Sequence, residues 1–150
     1  MRFLAVSVAT IALLGDAHAE PVERARVHVV DGDSVTLDGV EWRLKGFDAA
    51  EINSAKCEAE RRLGIIAKRR LMELLAAAKV IDLSTDGATD RYRRPLGDLV
   101  IDGVNVRETL ISEGLARPYN GGYRKGWCSR DSRDDLVPGP PPAAPKITTK

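Results

Sequence analysis

The segment VVDGDSVTLDGVEWRLKGFDAAE, residues 29–51, decides the fold of this chain. It contains two runs that are rich in residues favouring β-strands, and the dipeptide Asp38-Gly39 separates them. Asp-Gly is typical of the two-residue turn that joins the strands of a hairpin. The apolar strand residues are Val35, Leu37, Val40, Trp42 and Leu44. The segment therefore predicts a β-hairpin that closes at residues 38–39.

Acidic and basic side chains lie toward the open end of this hairpin. Asp33 enters the first strand, Arg43 lies on the return strand, and Asp48 and Glu51 follow it. A curled sheet would bring the three carboxylates and the guanidinium into one cleft. The alternative is that residues 31–34, DGDS, form only a turn, because Asp and Gly are among the commonest turn residues.

Later motifs favour the cleft over the plain turn. Residues 90–94 read DRYRR, and residues 114–116 read GLA after a predicted helix. Together with DGDS at 31–34, RL at 43–44 and DAAE at 48–51, they resemble the staphylococcal nuclease (thermonuclease) family in order and spacing, from about Val27 to Tyr119. The family pattern is D-G-D-T, R-L, D-T-P-E, D-x-Y-G-R and G-L-A. Each motif is weak alone, but five in register are specific.

The resemblance implies a fold and a reaction. The fold is an OB-like five-stranded β-barrel with two packed α-helices. The reaction is hydrolysis of phosphodiester bonds in DNA and RNA, leaving 3′-phosphates. Three departures from the pattern are Ser34 for threonine, Ala49-Ala50 for Thr-Pro, and Arg93 for glycine. Because proline fixes φ, its loss is expected to loosen the placement of Glu51.

The rest of the chain alternates strands and helices. Residues 58–78 carry apolar side chains at helical spacing and predict an amphipathic helix. Residues 79–84 and 96–101 predict strands, and residues 106–113 predict a second helix that ends at Gly114. The pattern indicates an α+β fold that is mainly β. The family usually has a third, C-terminal helix, whereas this chain continues as YNGGYRKGWC.

The two ends of the chain predict processing and disorder. Residues 1–19 have a basic start, an apolar run and a small-x-small site, which is the pattern of a secretory signal peptide. The alternative, an uncleaved anchor, is disfavoured because the run is shorter than the ~20 residues of a membrane helix. Residues 20–137 are then one nuclease-like domain, periplasmic or secreted, with no membrane segment after processing. Residues 138–150 are proline-rich and expected to be disordered.

The cysteine content agrees with export. The chain has two cysteines, Cys57 and Cys128, and an exported chain with two cysteines most simply forms one disulfide. Zinc binding would need two further ligands, and after processing His28 is the remaining histidine. His28 lies on an apolar strand, so we interpret it as structural.

The carboxylates of the cleft predict a hard cation. Carboxylates without histidine or thiolate ligands favour Ca²⁺, with Mg²⁺ the less favoured choice. We expect Asp33 and Asp48 to be ligands, and the family resemblance adds the backbone carbonyl of Ala49. Glu51 is then left to take a proton from the attacking water as general base.

Two arginines are the expected catalytic cations. The forked guanidinium groups of Arg43 and Arg94 match two phosphate oxygens better than the point charge of a lysine. If residues 93–94 are extended, Arg93 and Arg94 point to opposite faces and only one of them enters the cleft. The register from Tyr92 and from residue 96 onward assigns Arg94 to the cleft.

The distribution of charge favours a nucleic-acid partner more than the net charge does. The formal net charge is +1, but basic clusters with interleaved tyrosines flank the proposed site. Arg91, Tyr92 and Tyr119 are the expected substrate-binding residues, with cations on phosphates and rings on bases of DNA or RNA. We expect a monomer with no stable protein partner. The rival interpretations are a non-catalytic OB-fold nucleic-acid-binding module and a secreted structural or inhibitor domain.

Overall fold

The computed structural model describes residues 21–128. The predicted signal peptide at 1–19 and the predicted proline-rich tail at 138–150 lie outside these residues, so both stay predictions. No helix between residues 21 and 128 is long and apolar enough to cross a membrane.

Eight strands and two helices make up most of the described chain. The strands are β1 (Val27–Asp31), β2 (Ser34–Leu37), β3 (Val40–Leu44), β4 (Gly46–Ala49), β5 (Ile81–Ser84), β6 (Leu96–Ile101), β7 (Val104–Asn105) and β8 (Ala116–Tyr119). The helices are α1 (Glu58–Ala77) and α2 (Val106–Ser112), and a 3₁₀ turn at Arg24–Arg26 precedes β1. The mainly-β α+β fold with two helices is confirmed.

The strands form a curled mixed sheet. Five of them follow the order β1-β2-β3-β6-β5, with β7 on β6, while β4 and β8 form a separate antiparallel pair. β3 and β6 run parallel, and the β1-β2, β2-β3 and β5-β6 pairs are antiparallel. This five-strand path with two helices is consistent with the predicted OB-like fold.

The predicted hairpin consists of β2 and β3. Asp38 and Gly39 both have positive φ, 52° and 80°, as a two-residue hairpin turn with a tight twist requires. At the open end of the hairpin, Ser34 lies opposite Arg43. The turn therefore sets the register that places Arg43 beside the DGDS segment.

Helix α1 closes one side of the sheet. Its buried apolar residues recur at helical spacing, at Leu63, Ala67, Leu71 and Leu75, and they join a core that includes Val35, Leu44, Phe47, Leu99 and Leu110. A Cβ at Gly32 would lie 2.6 Å from the Cβ of Ala49 and 2.8 Å from the Cβ of Ala67. Glycine is therefore needed at this position because β4 and α1 approach it closely.

One strand begins later than the sequence predicts. β5 starts at Ile81 rather than at residue 79, because the amides of Lys79 and Val80 donate to Asp102 Oδ1 over 3.0 and 2.8 Å. A side chain from the β6-β7 turn thus takes the hydrogen bonds that a neighbouring strand would supply.

The C-terminal part of the described chain is held by the predicted disulfide. Cys57 and Cys128 are bonded, with their Cα atoms 6.0 Å apart, and Cys57 is the N-cap residue of α1. Residues 120–128, which we call the strap, connect β8 to this bond. Trp127 of the strap is buried, and the guanidinium of Arg117 lies 3.6 Å from the centroid of its ring. The strap therefore lies against the domain at its C-terminal end.

Candidate functional site

Arg43 lies between two buried carboxylates. It forms an ion pair with Asp33, and its Nη2 donates to Asp48 Oδ1 over 3.1 Å and to the carbonyl of Phe47 over 3.3 Å. The second oxygen of Asp33 accepts from the amide of Ala49 over 2.7 Å. The hairpin register and β4 thus bring Asp33, Arg43 and Asp48 together, as the sequence predicted for the cleft.

Burial makes the charge of Asp33 depend on its neighbours. The pKa of the Asp33 carboxyl is raised to about 7, mainly because burial disfavours its charged form; the guanidinium of Arg43 opposes this rise, and the negative charge of Asp31 adds to it. Desolvation disfavours the charged form of an acid, whereas a nearby cation favours it. Asp33 therefore needs a positive partner to stay ionised, and Arg43 is the partner that the structure supplies.

The donor set around Asp33 and Asp48 fits a hard cation. Both carboxylates converge on one guanidinium, so they can share one positive charge. Carboxylate and carbonyl oxygens are the ligands that Ca²⁺ takes. Among residues 21–128, one cluster brings together three or more side chains of the kinds that bind metals. It consists of Cys57, Glu60 and Cys128. Its two sulfurs are bonded to each other, so it does not offer thiolate ligands.

Arg94 lies in a turn rather than in an extended segment. Its Nε donates to Asp90 Oδ2 over 2.8 Å and its Nη1 to Glu41 over 2.7 Å. Asp90 Oδ1 accepts from the amides of Tyr92 and Arg94 over 2.8 and 2.9 Å, which closes the turn. Arg93 has a φ of 67°, in the region that favours glycine.

Residues 93–94 are not extended, so the prediction that strand alternation decides which of the two arginines enters the cleft is wrong. The family has glycine at the position of Arg93, and the positive φ there gives that glycine a physical reason. Arg94 nevertheless lines a cavity of about 600 Å³ together with Arg43 and Glu51, and Arg93 is not among the residues that line it. The turn, not the register, brings Arg94 to the cleft.

Glu51 is held at both carboxylate oxygens. Ser54 Oγ donates to its Oε2 over 3.0 Å, and Arg124 Nη1 donates to its Oε1 over 3.4 Å. The Glu51 side chain is 39% exposed, so it can reach both solvent and the cavity. The carboxylate partners of Arg43 among the described residues are Asp33 and Asp48, so Glu51 lies outside the pair of carboxylates that share Arg43.

The predicted substrate-binding residues line an adjoining cavity of about 630 Å³. Arg91, Tyr92 and Tyr119 are all in its wall. The guanidinium of Arg91 lies 4.7 Å from the centroid of the Tyr92 ring, and Tyr92 is 64% exposed. An exposed ring next to a cation is the combination that binds a base and a phosphate of a single strand.

Several site residues were not predicted from the sequence. Arg124 Nη1 also lies 3.3 Å from Asp48 Oδ1, and Trp127 Nε1 donates to Asp48 Oδ2 over 3.3 Å. Glu41 and Asp90 hold Arg94. Two of these residues had a partial signal in the sequence, since Asp90 opens the DRYRR motif and Arg124 belongs to a basic cluster. Nothing in the local sequence places Arg124 or Trp127 beside Asp48.

Comparison with known families agrees with this arrangement. The family model described as "Staphylococcal nuclease homologue" matches residues 41–135, which is more than half of the 150 residues. The match begins after Asp33, so that residue is assigned to the site by its contacts alone. Arg43, Asp48, Glu51 and Arg94 lie within the matched range. The chain belongs to the staphylococcal nuclease homologue family, and this membership supports a nuclease or a nucleic-acid-binding module of OB-like fold.

Proposed function

We propose that the protein is a Ca²⁺-dependent endonuclease that hydrolyses phosphodiester bonds of DNA and RNA. The observation that carries the proposal is the single cavity onto which Arg43, Arg94 and Glu51 open, beside the paired carboxylates of Asp33 and Asp48. Two fixed cations and a cation site can stabilise charge on a phosphate, and a carboxylate base can activate a water, and together these contributions suit phosphodiester hydrolysis.

Asp33 and Asp48, with the carbonyl of Ala49, are the proposed cation ligands. When bound, Ca²⁺ would supply positive charge to a phosphate oxygen. Ca²⁺ suits the site better than Mg²⁺, because Ca²⁺ accepts flexible oxygen geometries, whereas Mg²⁺ demands a near-ideal octahedron. Arg43 holds both carboxylates in the structure, so its guanidinium and the cation compete for the same oxygens.

The two arginines are proposed to stabilise the charge that grows on the phosphate. Each uses two of its nitrogens on carboxylates in the structure, Arg43 on Asp33 and Asp48, and Arg94 on Asp90 and Glu41. These carboxylates orient the guanidinium groups toward the cavity. A preoriented fork of donors adds to catalysis because it needs little reorganisation during the reaction.

Glu51 is proposed to take a proton from the water that attacks phosphorus. Its half-exposed carboxylate lines the same cavity as Arg43 and Arg94, so a water in that cavity lies within its reach. Attack on phosphorus breaks the bond to the 5′-oxygen of the next nucleotide, which takes a proton from solvent, and the products are a 3′-phosphate and a 5′-hydroxyl. Arg91, Tyr92 and Tyr119 would hold the strand on either side of the bond that breaks.

The domain is proposed to act outside the cytoplasm, in the periplasm or secreted, as a monomer without a stable protein partner. The disulfide between Cys57 and Cys128 supports this location, because disulfides persist in oxidising compartments. The absence of a membrane-crossing helix from residues 21–128 is compatible with it.

The test is release of acid-soluble nucleotides from single-stranded DNA, duplex DNA and RNA, with CaCl₂ or with EGTA. We expect nucleotide release with Ca²⁺ and little release with EGTA. The cleaved products should end in a 3′-phosphate. Protein that binds a labelled oligonucleotide but does not cleave it in Ca²⁺ or Mg²⁺ would establish the rival, a non-catalytic nucleic-acid-binding module. Protein that does neither would exclude both.

A further inference from the structure

The strap carries one side chain into the site. Its residues 120–128 contain three glycines, and two of them, Gly121 and Gly122, have φ values of 96° and 86°. Such a segment has little preferred shape of its own. Three contacts fix it instead: Tyr119 Oη donates to the carbonyl of Gly122 over 3.1 Å, Arg117 Nη1 donates to that of Gly126 over 3.0 Å, and Trp127 is buried.

Arg124 lies in the middle of this fixed segment and reaches two of the three acids of the site, Asp48 and Glu51. Its Nη1 is 3.4 Å from Glu51 Oε1 and 3.3 Å from Asp48 Oδ1. One nitrogen makes both contacts, unlike Arg43 and Arg94, which each use two. Arg124 also lines both cavities of the cleft. Its side chain is 41% exposed, and these contacts join it to the proposed base.

Glu51 has a particular need for such a partner in this chain. The residues before it are Ala49-Ala50, so neither a proline ring nor a hydroxyl side chain fixes its approach. Ser54 holds one carboxylate oxygen and Arg124 holds the other. A carboxylate held at both oxygens keeps one direction, whereas a carboxylate held at one oxygen can turn about that bond.

We propose that Arg124 is a positioning residue that aims Glu51 into the cleft. The inference rests on the proposed nuclease function and goes beyond it, because it gives the strap a role in turnover. Misplacement of a reacting group by about 1 Å can cost about 10²-fold in rate. The strap lies outside the five sequence motifs of the site, and it then contributes Arg124 to the site.

The test compares Arg124→Gln with Lys125→Gln on the Ca²⁺-loaded protein. Both variants remove one positive charge from the strap, but Lys125 is exposed and has no part in the site. We expect Arg124→Gln to lower kcat by about 10- to 100-fold while KM changes by less than about threefold, and Lys125→Gln to leave both within about twofold. Arg124→Lys should recover most of kcat, because a single nitrogen makes both contacts. Thermal melting of each variant verifies its fold.

A double-mutant cycle with Glu51→Gln separates positioning from direct contact with substrate. If Arg124 acts through Glu51, Arg124→Gln costs no further kcat in the Glu51→Gln background. An additive loss, or a rise in KM with kcat unchanged, would mean that Arg124 binds the phosphate itself and would overturn the inference. Equal losses in Arg124→Gln and Lys125→Gln would overturn it too. Wild-type protein without cleavage would instead remove the proposed function on which the inference rests.

Discussion

The cleft has a buried half and an exposed half, and they are built differently. Asp33, Arg43 and Asp48 are 3%, 7% and 6% exposed, and the β2-β3 hairpin and β4 hold them. The side chains of Arg94 and Arg124 are 25% and 41% exposed, and they come from a turn and from the strap. The buried half therefore belongs to the folded core, whereas the exposed half is placed on it by loops.

This difference predicts two kinds of mutant. Removing one partner of a buried ion pair leaves an uncompensated charge in the core and destabilises the fold. Removing an exposed side chain leaves the core intact, since exposed ion pairs contribute little to stability. Variants of the exposed half should thus change rates, and variants of the buried half should change the free energy of unfolding as well.

Glu51→Gln should have the largest effect on rate and almost none on folding. A positioned general base contributes about 10²- to 10⁴-fold to turnover, so kcat should fall by that factor while the melting temperature and Ca²⁺ binding persist. Single-turnover cleavage and calorimetry with Ca²⁺ measure the two properties. Collapse of Ca²⁺ affinity with turnover retained at saturating metal would make Glu51 a ligand instead.

Arg43→Gln should have the largest effect on stability. It leaves Asp33 and Asp48 buried without their shared cation, so the free energy of unfolding in EGTA should fall by about 3–5 kcal/mol. Ca²⁺ should stabilise this variant more than it stabilises the wild type, because the guanidinium no longer competes for the carboxylates. Urea titrations with and without Ca²⁺ measure both effects.

Lys45→Gln is the matched control for that experiment. Lys45 bonds to Asp86 and Asp98 at the surface, so its loss should cost no more than about 1 kcal/mol. Equal destabilisation of the two variants would show that the buried ion pairs of Arg43 contribute no more to stability than ion pairs at the surface.

Arg94→Lys should reduce kcat by about 10²-fold. Its effect on the free energy of unfolding should be no larger than that of a typical substitution at the surface. Lysine keeps the charge but loses the two-nitrogen fork that contacts Asp90 and Glu41, and loss of an oxyanion-type donor costs about 10²–10³ in kcat. Arg93→Lys is the control, with kcat expected within a few-fold of wild type. The reverse ranking would make Arg93 the catalytic arginine.

Arg93→Gly should have the smallest effect, and it should be favourable. A residue with a side chain at a φ of 67° is strained by about 1–2 kcal/mol relative to glycine. Part of the stability gained by relieving this strain is lost, because glycine has a higher conformational entropy in the unfolded state. A net gain of about 0.5–1 kcal/mol is expected in urea unfolding. A loss of stability would mean that the Arg93 side chain contributes contacts that outweigh the strain.

The two halves also differ in how far the sequence predicted them. The hairpin and both helices follow from local signals: apolar alternation, an Asp-Gly turn and helical spacing. These signals act between residues that are close in the chain. The grouping of Asp33, Arg43 and Asp48 is favoured over a plain turn by the later motifs, and the hairpin register accounts for it physically. The β2-β3 register, which is set within a short stretch of chain, places Arg43 beside Asp33 in the buried half of the site.

The exposed half depends on contacts that local patterns do not contain. The turn at residues 90–94 is closed by the Asp90 side chain, and its geometry does not follow from strand alternation. Arg124 meets Glu51 across 73 positions of sequence, and glycines around it leave the path of the strap undetermined. The disulfide, the burial of Trp127 and the hydrogen bonds from Arg117 and Tyr119 fix that path, and the disulfide spans 71 positions of the sequence.

The close approach at Gly32 limits how this sequence can vary. Ala49 and Ala67 already fill the space that a side chain at position 32 would need, so the three positions share one small volume. Growth at any of them would push Asp33 and Asp48 apart, since these residues adjoin Gly32 and Ala49 in the chain. In a random library selected for cleavage, small residues at 32, 49 and 67 should therefore be retained as strictly as the acids themselves.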